Sequence, residues 1–472
     1  MSWLRRRNAR RGREGEALPA RAAAGGASIG DIYARVAALP LTERNPIVFI
    51  PGIMGSKLVD ADCARSVWGD FSRAYADPGR GSNRRLISLP MALGEPLDRL
   101  ASPGAVDGAV ARARPRRLPF DITAYGDILQ TVGIQSGLPS ARHRPEYGHE
   151  GAFASFEFGY DWRRSLDETA AELEAFLRMA SYFVQAVRGN SEPVSFDVVA
   201  HSMGGLVLRY YLRYGDQRLP LDGTLPRITW AGSERVTRAL IIGTPNAGSA
   251  AAIERLVTGL PGIPLVHPGY DPFIVGTMPA LYQLLPRNRH RPFVDAGPSS
   301  KPVDLYDPAF WIARGWGLAD PTGDERLALQ LDGVDSKAAR HETALDHLSK
   351  CLRQAESLHR ALDTPAEPPS PLELHLVAGD SIRTVAAYGG RIGDRRLRVA
   401  RYGAGDGTVL RSSALLDERE SGTWQPGVAS PIAWASVVFA AADHMALTRD
   451  RVVLDNVLFR LLDAPRADRG LC

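Results

Sequence analysis

The chain has 472 residues, 44% of them hydrophobic and 23% charged, a balance that suits a protein with a large buried core and excludes a low-complexity chain. Its formal net charge of +4 is local: Met1 to Ala22 carries seven arginines against Glu14 and Glu16, so this arm holds +5 and the remainder −1, without the basic field that nucleic-acid binding requires. The three cysteines, Cys63, Cys351 and Cys472, lie far apart without CxxC or CxxH spacing, so neither a zinc site nor a disulfide framework is expected, and no metal or organic cofactor is implied.

In chain order, residues 1–30 read as a basic, solvated arm, with contact to anionic lipid as the sharper alternative. The stretch "NARRGREGEALPARAAAGG" offers no apolar segment of the kind a secretory signal needs. The expectation is a cytoplasmic protein that touches membranes, if at all, peripherally. A short helical pattern, "SIGDIYARVAALP", stops at Pro40. Residues 31–267 then read as the first part of an α/β core. Ile47 to Ile50 is an apolar run of strand length that breaks into the glycine loop "PGIMGS". Residues 60–117 are Gly-, Pro- and Arg-rich and read as lid-like loops around short helices. "ITAYGDILQTVGI" has helical spacing, and "SFEFGYDWRRSLDETAAELEAFLRMASYFVQAVRGN" reads as a strand followed by a long amphipathic helix, with Ser165 and Glu168 placed for a capping box.

Val194 to Ala200 is the next strand, Gly204 to Tyr214 a helix, and "VTRALIIGTPNAG" a further strand and loop. Across residues 268–371 the alternation lapses into loops around aromatic clusters and one helix, Ala338 to Leu362, the pattern of an inserted cap. It returns over 372–466 with the strands "LELHLVAGD" and "RLRVARYGAGDGTV" and a closing helix, "RDRVVLDNVLFRLL". The apolar run Ile432 to Ala442 is far shorter than the roughly 20 residues a membrane helix needs. Strands alternating with helices predict an α/β fold, a mainly parallel central sheet flanked by helices and interrupted by a cap.

The chemistry centres on "AHSMGG". A serine hydroxyl attacks only when a base takes its proton and when it projects clear of the backbone. A strained strand-to-helix turn provides that projection and demands small residues two positions to either side, here Ala200 and Gly204 around Ser202. In α/β-hydrolases an acid and a histidine follow the serine in that order. His444, in the loop before the last helix, is the candidate base. Two carboxylates are candidates for the acid: Asp406 in the turn "GAGDGTV" and Asp380 at the end of "LELHLVAGD". The oxyanion of an acyl-transfer intermediate needs preorganised N–H donors, for which Met203 and Met54 are placed. His201 reads as a core histidine with satisfied hydrogen bonds, while Trp68, Phe310, Trp311 and Trp316 suit either an acyl groove or the core.

With "VFIPGIMGSKL", "YDWR", "AHSMGG", "GTPNAGS", "PALYQLLP", "GDGTVLRSSA" and His444 in this order, the chain resembles the lecithin:cholesterol acyltransferase and group XV phospholipase family of α/β-hydrolases. The resemblance spans roughly Pro46 to Asp450 and favours Asp406 over Asp380 as the acid. It implies a lipid or acyl-ester substrate, taken up as an acyl-serine and passed to an alcohol or to water. A short-chain esterase or thioesterase would share every one of these residues, and a non-catalytic binding protein of the same fold is the reading from another class. No protein partner is expected.

Overall fold

The computed structural model describes residues 45–60, 62, 65–69, 81–100, 104–109, 112–113, 122–123, 125–132, 155–262, 269–295, 303–391, 394, 396–419 and 427–463. The arginine arm, the helix expected before Pro40, and part of the lid-like loops lie outside the described residues.

Apolar runs bounded by glycine or proline become the inner strands of a helix-covered parallel sheet, buried on both faces, with partly buried strands at its two edges. Among the described residues these are β1 (Ile47–Ile50), β2 (Ser155–Glu157), β3 (Phe196–His201), β4 (Val236–Ile242), β5 (Glu373–Gly379) and β8 (Ser436–Ala440), in the order β8-β5-β4-β3-β1-β2 with every pairing parallel. Side chains alternate between two cores. Val48, Ile50, Val198 and Ala200 face one, whereas Ile47, Phe49, Val199, Leu240 and Val377 face the other. Helix α1 (Gly126–Thr131) and α6 (Arg451–Leu458) cover the second core. The first is covered by α2 (Leu166–Arg188), α3 (Met203–Tyr214) and α5 (Lys337–Asp363), whose buried residues join it.

The run at Ile432 to Ala442, the most apolar stretch near the end of the chain, supplies β8, the outermost strand beside β5. No described helix is long and apolar enough to cross a membrane.

Between β4 and β5 the chain makes a long excursion, whose residues 268–371 are the stretch read as a cap and which begins before it with α4 (Ala250–Thr258). Helix α4, short turns at Pro272–Val275 and Pro279–Tyr282, and an aromatic cluster of Phe293, Phe310, Trp311 and Trp316 all pack onto the first core. Arg314 lies over the Phe310 ring at 4.1 Å. The excursion is tied back to the rest of the molecule by Phe293–Asp295, which pairs with β6 (Ile382–Gly390), itself antiparallel to β7 (Arg398–Gly405).

The capping box expected at α2 does not form. Glu168 turns to Arg164, its neighbour four residues back, and to Arg218, and the Ser165 hydroxyl engages Asp167. The helix start is held from a distance instead: Gln283 accepts the Leu166 N–H at 2.9 Å and donates to the Ser165 hydroxyl at 2.6 Å. One side-chain amide serves both groups because its oxygen accepts while its nitrogen donates.

Candidate active site

At the end of β3 the backbone turns sharply. Ser202 adopts φ 54° and ψ −126°, a conformation L-residues rarely take, before α3 begins at Met203. The crowding explains the small residues: a Cβ on Gly204 would lie 2.4 Å from the Pro51 carbonyl oxygen and 2.7 Å from that of Ile50. The turn is braced by the Ser202 N–H on the Ile242 carbonyl at 2.8 Å and by the Thr244 hydroxyl on the Ser202 carbonyl at 2.8 Å.

The Ser202 hydroxyl lies 2.9 Å from His444 Nε2, and His444 Nδ1 lies 2.8 Å from Asp406 Oδ2. Asp406 is almost wholly buried, its other oxygen accepting the N–H groups of Thr408 at 2.9 Å and Val409 at 2.6 Å. The His444 N–H bonds the Asp406 carbonyl at 2.9 Å, so side chain and main chain fix the pair together. Gly379, the last residue of β5, leaves the room Asp406 needs; a Cβ there would sit 2.5 Å from the Asp406 Cβ. Asp380, the next residue, is partly exposed and makes no hydrogen bond to His444. A carboxylate holding one imidazole nitrogen, with the other facing a hydroxyl, can take the hydroxyl proton and stabilise the resulting imidazolium.

Met54 sits in the loop after β1 with φ 60°, and its carbonyl accepts the Trp68 indole N–H at 2.8 Å. Met203 occupies the first position of α3, where a backbone N–H has no intrahelical acceptor. Trp68 is therefore a brace packed edge-on to Trp162 at 5.6 Å, and Phe310, Trp311 and Trp316 lie in the aromatic cluster, so the packing reading of these four residues holds.

Ser202 and His444 open on a cavity of about 280 Å³. Its walls are apolar for the most part: Ile53, Met54, Ala252, Leu260, Val275 and Met278 among them, with Arg255 at one side. Several quoted motifs meet around it. In "YDWR", the Tyr160 hydroxyl donates to the Pro51 carbonyl at 2.9 Å, the Trp162 indole to Ser56 at 3.2 Å, and Arg163 pairs with Asp161 at 2.8 Å. "PALYQLLP" supplies Leu281 and Leu284 to the wall and Gln283 to α2, while "GTPNAGS" supplies Pro245 and Ser249 to the wall and Thr244 to the Ser202 carbonyl.

His201 is completely buried between Tyr125 and His444, and burial followed by the neighbouring His444 ring pushes its pKa well below the ordinary histidine value. Tyr125 was not legible as a site residue: it lies 76 positions before His201, and only the fold places its hydroxyl against the nucleophile strand. No group of His, Cys, Asp and Glu among the described residues is arranged to hold a metal ion.

Fold and site together define an α/β-hydrolase enzyme of the serine hydrolase and acyltransferase class. Residues 145–300 match the family model described as lecithin:cholesterol acyltransferase, so the resemblance read from the motifs extends to a family match over 156 of the 472 residues, including β3, Ser202 and α3. The chain is similar to a protein of a solved Tle4–Tli4 complex at 15% identity, covering 89% of this chain and 99% of that one with a TM-score of 0.56, a likeness of fold. The mature form of Bacillus licheniformis lipase BlEst2 is aligned over 90% of this chain and 94% of its own at 12% identity, with a TM-score of 0.31. No curated protein matches the chain in sequence.

Proposed function

We propose that the protein is a serine-dependent lipase or O-acyltransferase that takes an acyl chain from a lipid ester, with glycerophospholipid as the favoured donor, and passes it to an alcohol or to water. The observation that carries this reading is the hydrogen-bonded series Asp406, His444, Ser202 opening directly on an apolar cavity. In the first half-reaction His444 Nε2 takes the Ser202 proton as the oxygen attacks the ester carbonyl. The Met54 and Met203 N–H groups receive the developing oxyanion, and one such donor is typically worth about 2.7 to 4 kcal/mol of barrier. The imidazolium then protonates the departing alkoxide, leaving the acyl group on Ser202 with its chain along the cavity wall. In the second half-reaction His444 deprotonates the acceptor, the tetrahedral adduct collapses, and Ser202 regains its proton. Asp406 keeps the imidazole in the productive tautomer throughout.

Residues 268–371 act in this reading as a cap whose dryness sets the partition between alcohol and water. Work at a lipid surface fits a protein attached peripherally, with the cytoplasm as the proposed compartment. The test is incubation of wild type and Ser202→Ala with mixed phospholipid vesicles, with and without a long-chain alcohol, resolving lipid products by mass spectrometry. Serine-dependent transfer or fatty-acid release supports the reading. Turnover confined to short soluble esters would replace it with the esterase or thioesterase reading.

A further inference from the structure

Three hydrogen bonds beside the site form a chain whose direction is fixed at both ends. The Gly52 N–H lies 3.0 Å from the Tyr125 hydroxyl oxygen, that oxygen lies 3.0 Å from His201 Nδ1, and His201 Nε2 lies 3.1 Å from the His444 carbonyl oxygen. A backbone amide only donates and a carbonyl only accepts. His201 therefore carries a proton on Nε2 and the Tyr125 oxygen accepts from Gly52, and because burial keeps the ring neutral, the Tyr125 O–H donates to Nδ1. Every polar group in the chain is satisfied in this one arrangement, with both side chains buried.

The placement matters as much as the polarity. Gly52 opens the loop that carries Met54, and it lies so close to the nucleophile that a Cβ on it would be 2.8 Å from the Ser202 Cβ. His201 immediately precedes Ser202, and the His201 and His444 rings stand 4.9 Å apart. We infer that Tyr125 and His201 are positioning residues, a relay that locks the oxyanion loop and the His444 backbone to the nucleophile strand through a neutral His201 in its Nε2–H tautomer. This rests on the proposed roles of Ser202, His444 and Met54. A neutral ring also avoids a second positive charge beside His444 when His444 becomes an imidazolium.

The test uses Tyr125→Phe, His201→Leu and His201→Gln in the full chain. Phenylalanine keeps the ring but removes both bonds of the hydroxyl, and kcat is expected to fall about tenfold with KM within about twofold. Leucine fills the space without donors or acceptors and should cost about 100-fold. Glutamine offers an N–H for the His444 carbonyl and an oxygen for the Tyr125 hydroxyl, and should recover activity to within about fivefold of wild type. Equal activities of the Leu and Gln variants, or an unchanged kcat in Tyr125→Phe, would reduce the pair to packing and overturn the relay. A second readout is independent of turnover. Nitrogen NMR of selectively labelled histidine should show His201 at pH 7 with Nδ1 unprotonated and Nε2 protonated. The opposite tautomer or a cationic ring would overturn the relay even in an active enzyme, whereas absent serine-dependent turnover with the expected tautomer would strike the proposed function and leave the relay standing.

Discussion

Replacing Gly204 by alanine tests how the turn around Ser202 serves the chemistry. The added Cβ would lie 2.4 Å from the Pro51 carbonyl oxygen and 2.7 Å from that of Ile50, with the Ile50 side chain at 2.9 Å. Ordinary contact begins near 3.4 Å, so α3 and the β1 loop must separate by about 1 Å. Both oxygens belong to backbone, so no side-chain rotation relieves the contact. The two sides that must part carry the two proposed oxyanion donors, Met203 on α3 and Met54 on the loop. Loss of one donor corresponds to about 2.7 to 4 kcal/mol, or roughly 10²- to 10³-fold in kcat. The assay is steady-state hydrolysis of a short soluble ester by wild type and Gly204→Ala, with the thermal midpoint measured in parallel. The expected outcome is a kcat loss in that range, with KM changing by less than about threefold. A folded Gly204→Ala enzyme with kcat within about threefold of wild type would refute the link between this close approach and oxyanion geometry.

Asp406→Asn should lower kcat by up to about 10⁴-fold, because an amide can donate to Nδ1 and favour the wrong tautomer of His444, whereas Asp380→Asn should stay within about twofold; side-by-side ester kinetics decide between them. Acid should destabilise the fold through its buried histidines. His347 donates Nε2–H to the Thr277 carbonyl at 3.0 Å, and burial pushes its pKa down to about 4. The unfolded chain, near 6.5, binds the proton more readily, so this contribution is intact above about pH 6.5 and lost as pH falls from there toward 4. At pH 5 the loss amounts to about 2 kcal/mol, and urea unfolding at pH 7 and pH 5 should show His347→Gln with a correspondingly smaller pH dependence. His201 and His359 are shifted in the same direction, mainly by burial, and add to the acid limb. Ala251 lines the cavity and is only partly buried, so Ala251→Leu should reduce turnover of long acyl chains about tenfold while sparing a short ester, as read from a chain-length series.

What the sequence discloses and what it hides have physical causes. β1, β3, β4 and β5 are buried on both faces and leave near-continuous apolar runs, so they are visible without knowledge of their partners. The Ser202 turn is legible because its crowding leaves no room for a side chain at Gly204. Of the hairpin of β6 and β7, the strand at β7 is read from the sequence although much of it is exposed, whereas β6, which ends in two glycines, and the antiparallel pairing of the two are not. Asp406 and Asp380 both follow strands, and only the folded chain shows that Asp406 is the one whose carboxylate lies 2.8 Å from His444 Nδ1. The Ser165 and Glu168 pattern misleads because Gln283, more than a hundred residues away, reaches the start of α2. Tyr125 stays hidden for the same reason, its partners Gly52 and His201 being supplied by distant strands.

In the proposed reaction every acyl group passes through Ser202. The most direct test is rapid acid quenching of wild type and Ser202→Ala during turnover of a phospholipid or activated ester, followed by intact-protein and peptide mass spectrometry. Wild type should gain the mass of one acyl group, localised to Ser202, and the variant should gain none and form no product. An acyl group on another residue, or product formation by Ser202→Ala at the wild-type rate, would contradict passage through Ser202.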